Sequence, residues 1–491
     1  MLRILGTETE FGIIARSTGN PDPVANSLRL ISHCPHLPAP NAIWDYENEH
    51  PFLDARGFLV EGELERPGTS YNRQLNKILS NAGRLYVDGA HPEYSTPECS
   101  NPREVLAYER AGDQIVAECL ARLNTSVGEE EFLVYRNNSD GKGNSFGYHE
   151  NYLLSRTVPF ERIATILLPF FVSRPIICGA GKVGAENGME PTPYQISQRA
   201  DFFESVLDLN TMVNRPIINT RDEPHAHQSQ YRRLHVIVGD SNMCEVSTFL
   251  KVGTTAIIMD MLEQQESLPH FELADPVKAI KEVSRDLTVK ASLPLQNGQY
   301  TSAIAIQRAF LQAAHDFYTT RALSPITKEI LVLWERILDT LERDPFDLRR
   351  EVDWVAKQVL MLSYMDRKHC SWDDPRVAMM DLQYHDIRPS KGLYYALERT
   401  GQIERLTLDD EIDRACQTAP KFTRAFFRGA CLQRFPQQVY GMSWTSILLE
   451  SGSSEIKRIP LMDPNRGTQQ LTQELFQDIS SVDQLLSRLA Q

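Results

Sequence analysis

Between Gly6 and Gly12 the chain reads Gly-Thr-Glu-Thr-Glu-Phe-Gly, and no other segment restricts the fold as strongly. Residues 1–15 have the period of two of a strand, so Glu8 and Glu10 share one face while Thr7, Thr9 and Phe11 take the other. Two carboxylates about 7 Å apart along a strand repel each other unless a cation lies between them. Oxygen donors alone favour magnesium, which keeps waters and bridges phosphates. An exposed acidic strand face is the plain alternative.

A second segment, Arg84-Leu-Tyr-Val-Asp88-Gly-Ala-His-Pro-Glu93-Tyr-Ser-Thr96-Pro-Glu98, begins as a strand with Arg84, Tyr86 and Asp88 on one face. It breaks at Gly89 into a turn carrying His91, Glu93 and Glu98. A cation, a carboxylate and further acids at a strand end suit a phosphate-and-metal site with a candidate nucleophile or base; a structural salt-bridge network is the other reading. A third segment, Asn137 to Gly147, offers backbone donors to an anion, and Glu150 just beyond it is a candidate for the acidic cluster, although plain hairpin turns share this composition. In a fourth, Arg221, Arg232 and Arg233 could clamp phosphate or carboxylate. His225 and His227 invite zinc, but no third ligand has a useful spacing.

Gly179-Ala-Gly181-Lys-Val-Gly184 matches a dinucleotide fingerprint, yet Ala185-Glu-Asn-Gly-Met-Glu-Pro cannot open the helix that fingerprint requires. No cysteine sits in a nucleophile motif.

Helical spacing runs over 101–124, from about 245 to 264, and in several pieces over 302–363. Strand-like segments fall at 82–88, 131–138, 148–155, 214–220 and 231–240. Strands, a helix, more strands and then a helix-rich part predict an α+β fold with a mainly antiparallel sheet. Residues 36–80, rich in Pro, Asn, Glu and Gly, read as a long insertion between strands. A polar stretch ending at Pro420 suggests a catalytic domain over 1–416 and a small C-terminal domain over 417–491, with a strand at Ser443–Glu450.

The net charge of −14 speaks against nucleic acid or an anionic membrane as partner. The longest apolar run, Ile163 to Val172, is broken by Pro169 and is too short to span a bilayer. A strand pattern already beginning at Leu2 argues against a signal peptide. Eight cysteines without close pairs fit free thiols in the cytoplasm.

The segments together resemble the family of Pup ligases and Pup deamidases, whose fold is that of glutamine synthetase and the carboxylate–amine ligases. The likeness covers nearly the whole chain. It includes GTETEFG, RLYVDGAHPEYSTPEC, NNSDGKGNSFGYHENYL, SQRADFFE, INTRDEPHA, RRLHVIVGDSNMCEVSTFLKVGT, DLQYHDIRPSKGLYY and TRAFFRGACLQRFP. The insertion carrying Trp44 to Phe58, and the spacing Asp88-Gly-Ala-His-Pro-Glu93, are similar to the deamidase branch rather than to the ligases.

The resemblance implies ATP and Mg2+ as cofactors, and Pup and pupylated proteins as partners. It implies that Glu8, Tyr86 and Glu93 ligate magnesium with Glu10 in support. Arg84 and Thr96 would contact nucleotide phosphates, Trp444 would stack on adenine, and Asp88 would be the catalytic carboxylate, as nucleophile or as base. The implied activity is hydrolysis of the isopeptide bond between the Pup C-terminal Glu and lysine, and of the side-chain amide of a Pup C-terminal Gln. The alternative is a ligase that forms the isopeptide bond through an acyl phosphate. A basic, partly apolar groove would bind acidic Pup, with Arg199, Arg215, Arg232 and Arg233 as candidates.

Overall fold

The computed structural model describes residues 3–16, 22–62, 66–128 and 131–490. Its central element is a six-stranded sheet in the spatial order Tyr231–Val236, Tyr148–Ser155, Leu5–Glu10, His91–Ser95, Arg84–Asp88, Asn76–Ile78. Every neighbouring pair in it is antiparallel, so the α+β expectation holds. The first strand is shorter than the sequence pattern suggests. It stops at Glu10, and after Phe11 the chain starts a separate ribbon in which Gly12–Ala15 pairs with Phe132–Tyr135.

One face of the sheet is apolar and covered by helices. Leu5, Leu85, Tyr94, Tyr152, Leu154, Leu234 and Val236 are buried there in one core with Val105, Ile115, Val116, Cys119 and Leu120 of the helix Pro102–Val127. Asn101 starts that helix by accepting the N–H of Glu104. Gly112 sits mid-helix, where it would normally destabilise, because a Cβ there would lie 2.2 Å from the Tyr94 ring. The helix therefore packs directly on the strand that carries Glu93. Gly89, at φ +53°, supplies the tight turn joining Asp88 to His91.

The buried helix Glu245–Glu263 lies behind the sheet, and further helices span Ala303–Thr319, Pro325–Arg343 and Asp353–Lys368. Ile163 to Val172 belongs to the helix Phe160–Ser173 in the same core. No helix among the described residues is long and apolar enough to cross a membrane.

The insertion is not one loop. Thr69–Leu75 is a helix, and Ile43–Trp44 is a short strand lying parallel to Gly441 and Met442. It thereby completes a four-stranded sheet whose other members are Val439–Met442, Ser446–Glu450 and Ile456–Pro460. The core beneath that sheet joins Trp44, Ile78 and Ala82 to Phe427, Leu432, Phe435, Ile447, Leu449 and Leu485. Strand pairing between segments almost 400 residues apart is a long-range property, which the weak local periodicity of 36–80 did not reveal.

Glu150 lies on the helix-covered face, not with the acidic cluster. It is fully buried, and its carboxylate accepts Nη1 and Nη2 of Arg174 at 2.9 and 2.7 Å and the Tyr152 hydroxyl at 2.6 Å. The period of two that points His149 and Asn151 forward sends Glu150 back. Replacing Glu150 by Gln leaves Arg174 buried without a counter-charge, and we expect a loss of about 3–5 kcal/mol. Urea denaturation should show that loss while divalent-cation affinity stays unchanged. Membership of the acidic cluster would give the reverse pattern.

Candidate active site

The forward face of the sheet is polar because strand register brings alternate residues of five strands side by side. Glu10 lies opposite Glu93, Tyr86 opposite Glu93, Glu8 opposite His149, and Asn151 opposite His235. Two groups result. One oxygen each from Glu10, Asp88 and Glu93 lie within 4.8 Å of one another, as do single ligand atoms of Glu8, His149 and His235.

In the first group Glu93 is 1% exposed. Its Oε1 accepts the Tyr86 hydroxyl at 2.6 Å, whereas its Oε2 has no partner. Burial, then the charges of Asp88, Glu8 and Glu10, push its carboxyl well above the usual range. Burial also works against charge on Glu10, but the hydrogen bond from His91, with Nδ1 3.3 Å from Oε2, and the field of His149 outweigh it and hold this carboxyl low. Asp88 reaches solvent at the end of its strand. The protein mass around it still desolvates the carboxyl and, with Glu10, raises it above an ordinary aspartate.

The second group was missed in the sequence, where Glu150 rather than His149 drew attention. His149 Nδ1 lies 3.1 Å from Glu8 Oε2, and Asn151 Nδ2 donates to Glu8 Oε1 at 3.1 Å. His235 Nδ1 lies 3.0 Å from Asn219 Oδ1, which cannot donate, so Nδ1 carries the proton. The lone pair of Nε2 then points without a partner towards Glu8 Oε2, 3.6 Å away. Burial, with Arg233 and His149 nearby, holds His235 neutral by pulling its pKa well down. Two acceptors facing each other in a buried place, and the orphaned oxygen of Glu93, are what a cation would satisfy. The residues therefore fit divalent metal. His225 and His227 belong to neither group.

Beside these groups opens a cleft. Thr96, Glu98, His225, Arg233, Arg424 and Trp444 are among its lining residues. Thr96 Oγ1 accepts the backbone N–H of Thr7 at 3.0 Å. Trp444 meets Trp44 edge-on, with ring centroids 5.1 Å apart. Arg84 is not in the lining. Its guanidinium stacks between Trp44 and Tyr86, 4.2 and 3.8 Å from the ring centroids, and its Nε donates to Asn76 at 2.9 Å.

Two other sequence expectations take a different form. The Asn137–Gly147 loop has little donor capacity left for an anion. Ser139 Oγ takes the N–H of Gly141, Asp140 those of Lys142 and Asn144, and Glu186 that of Gly143. Lys182, from the false dinucleotide fingerprint, is the ion-pair partner of Glu186 and so braces this loop. Arg199, Arg215, Arg232 and Arg233 are all less than a tenth exposed, so they form no open basic groove. Arg233 instead donates to Asn151 Oδ1 at 2.7 Å and to the carbonyl of Glu223 at 2.6 Å.

With this geometry in place, comparison with known proteins identifies the family. Residues 3–448 match the model of the family described as Pup-ligase protein. A depupylase of Acidothermus cellulolyticus is 40% identical over all of this chain and 99% of its own length. A Pup deamidase/depupylase of Mycolicibacterium smegmatis is 38% identical over the full length of both chains. Among solved structures, the complex between Pup and its ligase PafA aligns with all of this chain and 92% of that one, at a TM-score of 0.81 and 33% identity. PafA in complex with ADP aligns with 88% of this chain and 97% of that one, at a TM-score of 0.76 and 36% identity. From its sequence and its fold alike, the chain belongs to the Pup-ligase protein family.

Proposed function

We propose that this chain is an ATP- and magnesium-dependent Pup deamidase and depupylase acting in the cytoplasm. It would hydrolyse the isopeptide bond between the Pup C-terminal Glu and a substrate lysine, and the side-chain amide of a Pup C-terminal Gln. The observation that carries this reading is the convergence of Glu10, Asp88 and Glu93 within 4.8 Å beside a cleft walled by Thr96 and Trp444. Full-length similarity to a depupylase and to a Pup deamidase/depupylase supports hydrolysis, and a relative that binds ADP supports a nucleotide in the cleft.

Glu8, Tyr86 and Glu93 would hold magnesium with Glu10 in support, and the geometry adds His149 and His235 next to Glu8. Bound magnesium supplies positive charge that lets clustered carboxylates ionise and anchors phosphates. Thr96 and Trp444 would hold the nucleotide, Trp444 by stacking on adenine. Arg84, enclosed by aromatic rings behind the cleft, would reach the phosphates only from that cage.

Asp88 stands at the open strand end, where substrate can approach. Its raised pKa makes the ionised carboxylate a better base and nucleophile than an ordinary aspartate. It would act on the carbonyl carbon directly or take the proton of an attacking water. Either way one water is added across the C–N bond. The carbonyl side becomes a carboxylate, and nitrogen leaves as lysine amine or as ammonia.

The second reading, Pup–protein ligase activity, is favoured by the superposition on PafA with Pup. A gel assay with a Pup–protein conjugate, ATP and Mg2+ separates the two. We expect the wild type to release free Pup and Asp88→Asn to release none while still binding ATP. Attachment of Glu-terminated Pup to lysines, without release, would establish the ligase instead.

Removing the Trp444 ring should weaken ATP binding by about 5- to 150-fold, since stacking on one base contributes roughly 1–3 kcal/mol. Calorimetric titration of Trp444→Ala checks this, and an unchanged affinity would remove the stacking role.

A further inference from the structure

Glu98 lies just past Thr96, at the end of the strand that carries Glu93, and points into the joint between the catalytic sheet and the C-terminal sheet. Arg424 Nε and Arg428 Nη1 donate to its Oε1 at 2.7 and 3.0 Å, and Arg428 Nη2 donates to Oε2. Its main-chain carbonyl accepts the Thr423 hydroxyl at 2.7 Å. One residue is thus gripped by three side chains from the start of the helix Ala425–Arg434.

Both arginines also donate to main-chain carbonyls at and next to the cleft, although Arg428 Nε has no partner. Arg428 Nη1 also reaches the carbonyl of Trp444 at 2.8 Å, and its guanidinium lies 5.6 Å from the Trp444 ring centroid. Arg424 donates to the carbonyls of His225 at 2.7 Å and Leu461 at 2.6 Å.

We propose that Glu98, Arg424 and Arg428 form a positioning clamp that fixes Trp444 and the His225 turn relative to the catalytic sheet, and so sets the slot for the base of a bound nucleotide. This rests on the reading of the cleft as the nucleotide site. The residues held are main-chain carbonyls on three separate segments, so the clamp fixes the walls themselves and not one rotamer. Arg424 and Arg428 are 2% and 0% exposed, which makes release of the carboxylate expensive and the slot rigid. His225 sits at φ +46°, a conformation that non-glycine residues keep only when their surroundings enforce it, and the Arg424 contact to its carbonyl is such a restraint. Pairing with the two cations holds the Glu98 carboxyl down at about 2 despite the opposing effect of burial, so the clamp stays charged at any working pH. None of the three side chains belongs to the acidic group around Asp88. The clamp therefore acts on where the nucleotide sits and not on the reacting carbonyl.

Arg428→Lys and Glu98→Asp keep the charge balance but cannot span all the contacts, because an ammonium lacks the planar fork of a guanidinium and the aspartate is shorter. With ADP as the probe in calorimetry and ATP in the Pup-release assay, each variant should show about tenfold or weaker ADP binding and an equally raised KM for ATP. Release at saturating ATP should stay within about twofold of wild type, a split that general misfolding would not give. The nucleotide-free melting temperature should stay near that of the wild type, with a smaller rise on adding ADP. Unchanged ADP affinity in both variants, while the wild type binds ADP, overturns the clamp and leaves the nucleotide site standing. No ADP binding by the wild type removes both. Unfolding of both variants would make these residues part of the core and not a positioning device, and would also overturn the proposal.

Discussion

Mutual repulsion among acidic side chains on one sheet face is the constraint around which this molecule is built. Register places Glu10 beside Glu93 and Glu8 beside His149. Burial and the neighbouring charges push the Glu93 carboxyl up while it accepts the Tyr86 hydroxyl, and Glu8 and Glu10 lean on His149 and His91. Such an arrangement costs stability, which the opposite face offsets with a continuous apolar core. The close fit of Tyr94 against Gly112 fixes the carboxylate strand to the longest helix, so the charged face is held rigidly even without an ion.

The C-terminal sheet completes the cleft that the central sheet begins. Its fourth strand comes from the insertion, and Trp44 on that strand touches both Arg84 and Trp444. Glu98, through Arg424 and Arg428, makes the second tie.

Much of the site was legible in the sequence wherever the physics is local. The period of two in Gly-Thr-Glu-Thr-Glu puts Glu8 and Glu10 forward, and Gly89 marks the hairpin that returns the chain through Glu93. What depends on partners far along the chain was not legible. His149 and Glu150 are adjacent, and only the pairing of their strand with Leu5–Glu10 decides which one faces the acids. Arg199 and Arg232 are candidates for a basic groove by sequence, until packing encloses them. The Asn137–Gly147 loop has the composition of an anion nest, but Glu186, some forty residues on, has already taken one of its donors. The insertion hid its strand because two residues paired to Gly441 and Met442 leave no periodic trace.

The proposed function stands on the binding of divalent cations by Glu8, Glu10 and Glu93 together on the forward sheet face. Anomalous diffraction from crystals soaked in Mn2+, a magnesium substitute with a measurable edge, tests it most directly. Ion peaks are expected within coordination distance of the Glu10 and Glu93 carboxylates and of Glu8 with His149 and His235, lost in Glu93→Gln at the first position. An ordered face with no ion, or ions bound only elsewhere on this acidic protein, would contradict it.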